Sequence, residues 1–88
     1  MHYVYVIENE FGNWYIGYTT NLWRRISEHN SHKNVSTAKS EKWKIIYSEA
    51  YVEKMDAIGR EKFLKSGSGW KFLKKQMKYY LEKTRSLS

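Results

Sequence analysis

The sequence predicts an α+β fold: a small three-stranded antiparallel sheet flanked by three helices, in the order ββαβαα. Three observations predict it. Tyr3–Glu8, Asn13–Tyr18 and Lys44–Tyr51 are rich in β-branched and aromatic residues, the composition of strands. Asn9–Gly12, between the first two runs, is turn chemistry short enough to close a hairpin. Elsewhere apolar residues recur at the helical period in three separate stretches.

The first two strands form an antiparallel hairpin. With its turn centred near Glu10, positions whose numbers sum to about 20 face each other, which puts Tyr5 across from Tyr15. Thr20 or Asn21 can then cap a helix in which Leu22, Ile26 and His29 share a side, ending at Asn30. Residues 30–42 are polar and basic with no apolar period, so they form a loop, and a loop of about 12 residues in so small a domain is often functional. After the third strand, Val52–Lys65 is helical, with Ala57, Ile58, Glu61 and Leu64 on one face. Ser66–Gly69 is expected to break that helix. The third helix, Trp70–Glu82, turns Trp70, Leu73, Met77 and Leu81 inward and Lys71, Lys74, Lys75 and Lys78 outward. Residues 1–83 are expected to form a single domain, with 84–88 as a frayed C-terminal tail.

A chain of 88 residues buries about two thirds of its unfolded surface, so its core is modest. Four Trp, eight Tyr and three Phe supply ample packing material, and with 28% charged residues the chain folds. The net charge of +7 favours polyanions, nucleic acid being the commonest. The absence of cysteine excludes disulfides and a Cys-based zinc site. No run approaches the ~18 apolar residues of a membrane span, and the N-terminus lacks signal-peptide features. A cytoplasmic protein with no membrane partner is expected.

Three groups of residues carry chemistry. Glu61 lies on the apolar stripe of its helix between Ile58 and Leu64, where a carboxylate must be paired, protonated or metal-bound. Its alternatives are an edge position reaching Lys65 at i+4 or a ligand for a hard divalent cation. Arg25 and His29, four residues apart, project from one helical face flanked by Leu22 and Ile26, whereas Arg24 points away. Arg25 can clamp a phosphate through two N–H groups or pair with Glu28 or Glu49; His29 can be catalytic or simply packed. Tyr5 and Tyr15 place two phenols together on the sheet. Such tyrosines are usually packing residues, yet beside an Arg, a His and a Glu they can hold or deprotonate a water, provided that nearby cations or a metal lower a phenol from its usual value of about 10. Gly17 weakens a strand interior, and a close approach by backbone or substrate would supply the reason for it.

These residues carry a family resemblance. Tyr3-Val4-Tyr5 followed by Tyr15-Ile16-Gly17 resembles the paired tripeptides of the GIY-YIG nucleases. Tyr15–Asn30 is similar to the helix that follows in that family, with the arginine eight positions after Gly17 at Arg25. Ala57–Lys65 resembles the family's metal-binding helix, with its glutamate at Glu61, and Ser66–Lys74 looks like the small stand-alone bacterial members. The resemblance covers almost the whole chain and extends to the N-terminal nuclease domain of the excision-repair endonuclease. Two positions depart from the pattern: Tyr3 replaces the first glycine, and Tyr18 follows Gly17 where some members carry lysine.

The resemblance implies the GIY-YIG fold and a metal-dependent DNA endonuclease or nickase, acting in repair or recombination. Glu61 would hold one Mg2+ or Mn2+ ion and Arg25 would contact the scissile phosphate. Tyr5, with Tyr15 beside it, would position or deprotonate the attacking water, and His29 would assist. The alternative is a nucleic-acid binding module on the same fold with little or no cleavage. In either case Arg24, Lys33, Lys39, Lys42, Lys71 and Lys74 are candidates for phosphate contacts. The partner expected is DNA, branched or single-stranded forms included, with RNA, the oligomeric state and a targeting partner protein left open.

Overall fold

The computed structural model describes residues 1–31 and 42–85. Three strands, β1 (His2–Asn9), β2 (Trp14–Thr19) and β3 (Trp43–Tyr51), form one antiparallel sheet in the order β2-β1-β3. Helix α1 (Leu22–Asn30) joins β2 to β3, and α2 (Lys54–Leu64), α3 (Gly67–Gln76) and α4 (Lys78–Arg85) follow. This is the expected ββαβαα order. The terminal helix is divided, because the chain leaves helical geometry at Met77 (φ −102°, ψ 31°). α4 runs on to Arg85, and residues 86–88 of the expected tail lie outside the described residues.

The hairpin register differs from the expected one. Tyr5 pairs with Gly17 and Ile7 with Tyr15, a shift of two positions. Its cause is the turn. Asn9 Oδ1 accepts the backbone N–H of Phe11 at 3.0 Å and of Asn13 at 2.9 Å, and Gly12 takes φ 81°. This side-chain-held turn centres the hairpin one residue later than Glu10. Because the shift is even, each side chain keeps its face and only its neighbour changes.

Strand β1 lies between the other two and is buried on both faces. Val4 and Val6 meet Ile16, Ala57, Leu64, Leu73 and Met77 on the side of α2–α4. Tyr5 and Ile7 face the opposite way, toward Trp43, Leu22 and Ile26 under α1. The alternation of strand side chains thus splits a near-continuous apolar run between two half-cores. On β3 the register with β1 slips by one residue between Val6 and Ile7, a local bulge.

Caps set where the helices begin. Asn21, one of the two expected caps, accepts the Arg24 N–H at 3.1 Å and starts α1. The Ser66–Gly69 stretch does not act as a breaker throughout: Ser66 Oγ accepts the Gly69 N–H at 3.2 Å, so Gly67 to Gly69 form the first turn of α3. Gly69 is required by packing, since a Cβ there would sit 2.0 Å from the Phe63 carbonyl oxygen. Of the residues expected inward on the last helical stretch, Leu73 and Met77 are buried, whereas Trp70 is 36% exposed and stacks on Trp14. Lys71, Lys74, Lys75 and Lys78 face solvent as expected.

A polar clamp ties β3 to α2. Glu49 accepts hydrogen bonds from the Tyr47 hydroxyl (2.5 Å), the Tyr51 hydroxyl (2.6 Å) and Arg60 Nε (2.8 Å) and Nη2 (3.0 Å). Burial pushes the Glu49 carboxyl up, but Arg60 and the two hydroxyls outweigh it and hold the group below its ordinary value. The Arg60 guanidinium also lies over the Phe63 and Phe72 rings. Among the described residues no helix is long and apolar enough to cross a membrane.

Candidate active site

Tyr5 points from β1 toward α1, and its ring passes over Gly17 on the edge strand β2. A Cβ on Gly17 would lie 2.4 Å from the phenolic oxygen and 2.5 Å from Cζ. Glycine is therefore what lets the phenol lie flat on the neighbouring strand. A close approach to Gly17 by backbone or substrate was expected; the approaching group is instead the side chain of Tyr5.

Two residues of α1 meet that phenol. Tyr5 Oη is 2.9 Å from His29 Nε2, and Arg25 Nε donates to the same oxygen at 3.4 Å. The four-residue spacing anticipated this convergence, because it stacks Arg25 one turn below His29. Tyr15 lies diagonally beside Tyr5, with ring centroids 6.5 Å apart, and its ring edge meets the His29 imidazole at 4.9 Å. Trp43 covers His29 from β3 at 6.5 Å. That role of Trp43 was not read from the sequence, where its only signal is an aromatic residue at the start of a strand. Arg25 pairs with Glu28 at 3.1 Å, one of the two partners anticipated; the other, Glu49, belongs to Arg60.

Burial governs the protonation of these groups. The His29 side chain is fully buried, and burial, then the Arg25 charge, pushes its pKa down to about 4. Neutral near pH 7, the imidazole can accept the Tyr5 O–H at Nε2 while the phenolic oxygen accepts from Arg25. Tyr5 is pushed up to about 12, chiefly by burial, with the Arg25 hydrogen bond and charge working the other way. The protein alone therefore does not lower this phenol, contrary to what a tyrosine base requires. Arg25 is held above its ordinary value: burial opposes its charge, but the hydrogen bonds to Tyr5 and Glu28 prevail. The charge of Glu61, on α2, is also felt at Tyr5, so the carboxylate belongs to the same electrostatic neighbourhood.

Glu61 Oε2 lies 3.1 Å from Lys65 Nζ, the i+4 pairing anticipated as its structural alternative. The Glu61 side chain is 19% exposed and Lys65 is 53% exposed, so the contact is a surface-facing one, worth about 1 kcal/mol at most. Among the described residues no group of three or more His, Cys, Asp or Glu stands ready to hold an ion. A single carboxylate is a poor zinc site. It fits Mg2+, which keeps several waters and takes one or two carboxylates together with phosphate oxygens. Of the expected phosphate contacts, Arg24, Lys42, Lys71 and Lys74 are exposed, whereas Lys33 and Lys39 lie outside the described residues.

The hairpin phenols of Tyr5 and Tyr15 thus meet an arginine and a buried histidine of the following helix, with a carboxylate on α2 in the same electrostatic neighbourhood. Residues 1–79 match the GIY-YIG catalytic domain, and the chain belongs to the GIY-YIG family. Among its relatives are proteins called UPF0213. One from Streptococcus pneumoniae serotype 4 is 39% identical over 64 residues, covering 72% of this chain and 65% of that protein, so the chain spans just under two thirds of its length. UPF0213 protein YazA from Bacillus subtilis is 29% identical over 86 residues, covering 97% of this chain and 82% of the relative. The solution structure of a UPF0213 protein from Bacillus halodurans superposes with a TM-score of 0.51 at 33% identity, over 82% of this chain and 80% of that one.

Proposed function

We propose that this protein is a divalent-metal-dependent endonuclease that nicks DNA by hydrolysing phosphodiester bonds, with Tyr5, Tyr15, Arg25, His29 and Glu61 as its working residues. The observation that carries the reading is the meeting of Arg25, His29 and the Tyr5 phenol over Gly17. Three side chains from two elements share one oxygen there, and the sheet carries a glycine where that oxygen needs space. Membership of a nuclease family supports the same reading.

Arg25 would bind the scissile phosphate, exchanging part of its contact with Glu28 for phosphate oxygens. The incoming negative charge would then offset one of the two causes that hold His29 low, the Arg25 cation. His29 Nε2 becomes a better proton acceptor at the moment substrate arrives. Tyr5 would hold the attacking water and pass its own proton toward Nε2 as it takes one from that water. Tyr15 and Trp43 keep bulk water from the imidazole and fix its orientation. Glu61 would hold one Mg2+ or Mn2+ ion in place of Lys65, and that ion, when bound, would stabilise charge on the phosphoryl oxygens and lower the pKa of a nearby water or phenol. Lys42, Lys71, Lys74 and Arg24 would gather the phosphate backbone.

One observation favours a second reading, a binding module with little cleavage: Tyr5, near 12, stays protonated at neutral pH, and His29, near 4, is only a weak base. The deciding experiment is nicking of supercoiled plasmid at low salt with Mg2+, Mn2+ or EDTA, comparing the wild type with Glu61→Ala and Arg25→Ala. Metal-dependent nicking lost in both variants is expected. Binding without nicking in any metal, on branched as well as plasmid DNA, would instead establish the binding module.

A further inference from the structure

On the other face of the sheet from Tyr5, at the hairpin end, two adjoining recesses form a groove. The first, of about 500 Å³, is lined by Trp14, Trp70 and Lys74. The second, of about 640 Å³, is lined by Phe11, Lys42 and Lys44. Glu8, Gly12 and Thr84 border both, so the two are continuous around the turn. Resting on the nuclease reading, we propose that this groove is a second nucleic-acid site, which binds single-stranded nucleic acid outside the catalytic constellation.

Its floor is pre-built. Glu8 Oε2 accepts the Trp14 indole N–H at 2.8 Å, and its other oxygen accepts the Tyr80 hydroxyl. Of the two carboxylates that line the groove, Glu8 is thus held by two neutral donors, so the rim lysines are not spent on it, and Glu10 lies beside it at the turn. Among the described residues Lys42, Lys44 and Lys74 make no ion pair, and Lys44 instead lies over the Tyr80 ring at 5.6 Å. Trp14 and Trp70 stack with centroids 5.2 Å apart and planes 13° from parallel, yet Trp70 stays 36% exposed. At the far end Phe11 is 74% exposed on a turn whose backbone is fixed by Asn9.

Aromatic platforms alternating with exposed lysines form the recognition surface of a single strand, in which bases stack and phosphates meet lysine. Bases within a duplex have their faces covered by their neighbours, so an indole platform takes bases of an unpaired strand. Trp14 is three residues from Gly17 along β2, about 10 Å. A strand seated there would continue around the sheet edge to the Tyr5 phenol, which favours substrates with a single-stranded arm next to the cut.

The test measures binding of oligothymidylate of about eight nucleotides to the full chain in EDTA, by tryptophan fluorescence and anisotropy. Wild-type protein should bind with tryptophan quenching, Trp70→Ala should weaken binding about tenfold, and Trp70→Phe should recover most of it. Lys44→Gln with Lys74→Gln, surface changes that keep the test valid should Trp70→Ala fold poorly, should flatten the salt dependence by about 1.4 in log–log slope. Unchanged affinity and slope in all variants overturns the groove. So does a Trp70→Ala protein whose only change is in self-association, which would assign the groove to a second copy of the chain. Plasmid nicking without oligothymidylate binding defeats the groove alone, whereas Trp70-dependent binding by a protein that nicks neither plasmid nor branched DNA in Mg2+ or Mn2+ supports the groove and defeats the nuclease reading.

Discussion

The Tyr5 phenol lies so close over Gly17 that a methyl group built on the glycine would sit 2.4 Å from the phenolic oxygen. Because the obstacle is the far end of a side chain, Gly17→Ala should fold, at a cost of about 1–3 kcal/mol, with the phenol pushed away from His29. Nicking should fall by roughly a hundredfold, since displacement of about 1 Å is enough for that. A double-mutant cycle with Tyr5→Ala checks the cause: the stability loss should largely disappear once the phenol is gone. Full additivity of the two substitutions would show that Gly17 is needed for another reason.

Gly69→Ala should be worse than Gly17→Ala, because its methyl would meet backbone, 2.0 Å from the Phe63 carbonyl oxygen and 2.5 Å from Leu64 Cα. The α2–α3 corner must open to admit it, with an expected loss of about 3 kcal/mol or more. Gly59, on α2 with nothing within 4 Å of its Cβ position, is the internal control. Gly59→Ala should gain about 1 kcal/mol from helix propensity. Urea denaturation of the three variants should rank them Gly59→Ala, Gly17→Ala, Gly69→Ala from most to least stable.

His29 predicts a stability change with pH. Its folded pKa of about 4 lies below the unfolded value of about 6.5. Between those values the unfolded chain binds the proton and the folded protein does not. Stability is therefore full above pH 6.5, is lost as pH falls toward 4, and changes no further from this source below 4, a total of up to about 3 kcal/mol. Thermal melts from pH 5 to 6.5, above the carboxylate range, should show the slope in the wild type and lose it in His29→Gln. An identical slope in both would assign it to other groups.

Lys65 predicts an effect on metal demand. Its ammonium sits 3.1 Å from the Glu61 carboxylate and would compete with an arriving cation. Lys65→Met should lower the Mg2+ concentration for half-maximal nicking, but by only about two- to fivefold, because a pair this exposed contributes about 1 kcal/mol at most. A higher Mg2+ requirement would mean that Lys65 assists the site rather than competes for it.

Much of this architecture was legible in the chain because it rests on local periodicity. Alternation along Tyr3–Ile7 sends Tyr5 one way and Val4 and Val6 the other, whatever the partner strand. The four-residue step from Arg25 to His29, and from Glu61 to Lys65, puts each pair on one helical face regardless of tertiary context. The Asn21 cap and the family motifs are local in the same sense.

Tertiary structure alone decided what meets across those elements. Whether Tyr5 faces Tyr15 or Gly17 depended on where Asn9 centres its turn, a side-chain hydrogen-bonding choice that strand composition does not encode. Ser66–Gly69 reads as a breaker by propensity, yet Ser66 caps a helix there, and the α2–α3 corner closes because Gly69 has no Cβ to meet the Phe63 carbonyl oxygen. The stacking of Trp14 on Trp70, and the cover of Trp43 over His29, join residues far apart in the chain. Sequence determined which side chains each element could offer to a site, since helix and strand periods are properties of the backbone. Packing determined which of them share an oxygen, a ring face or a groove, since those contacts depend on register and close approach between elements.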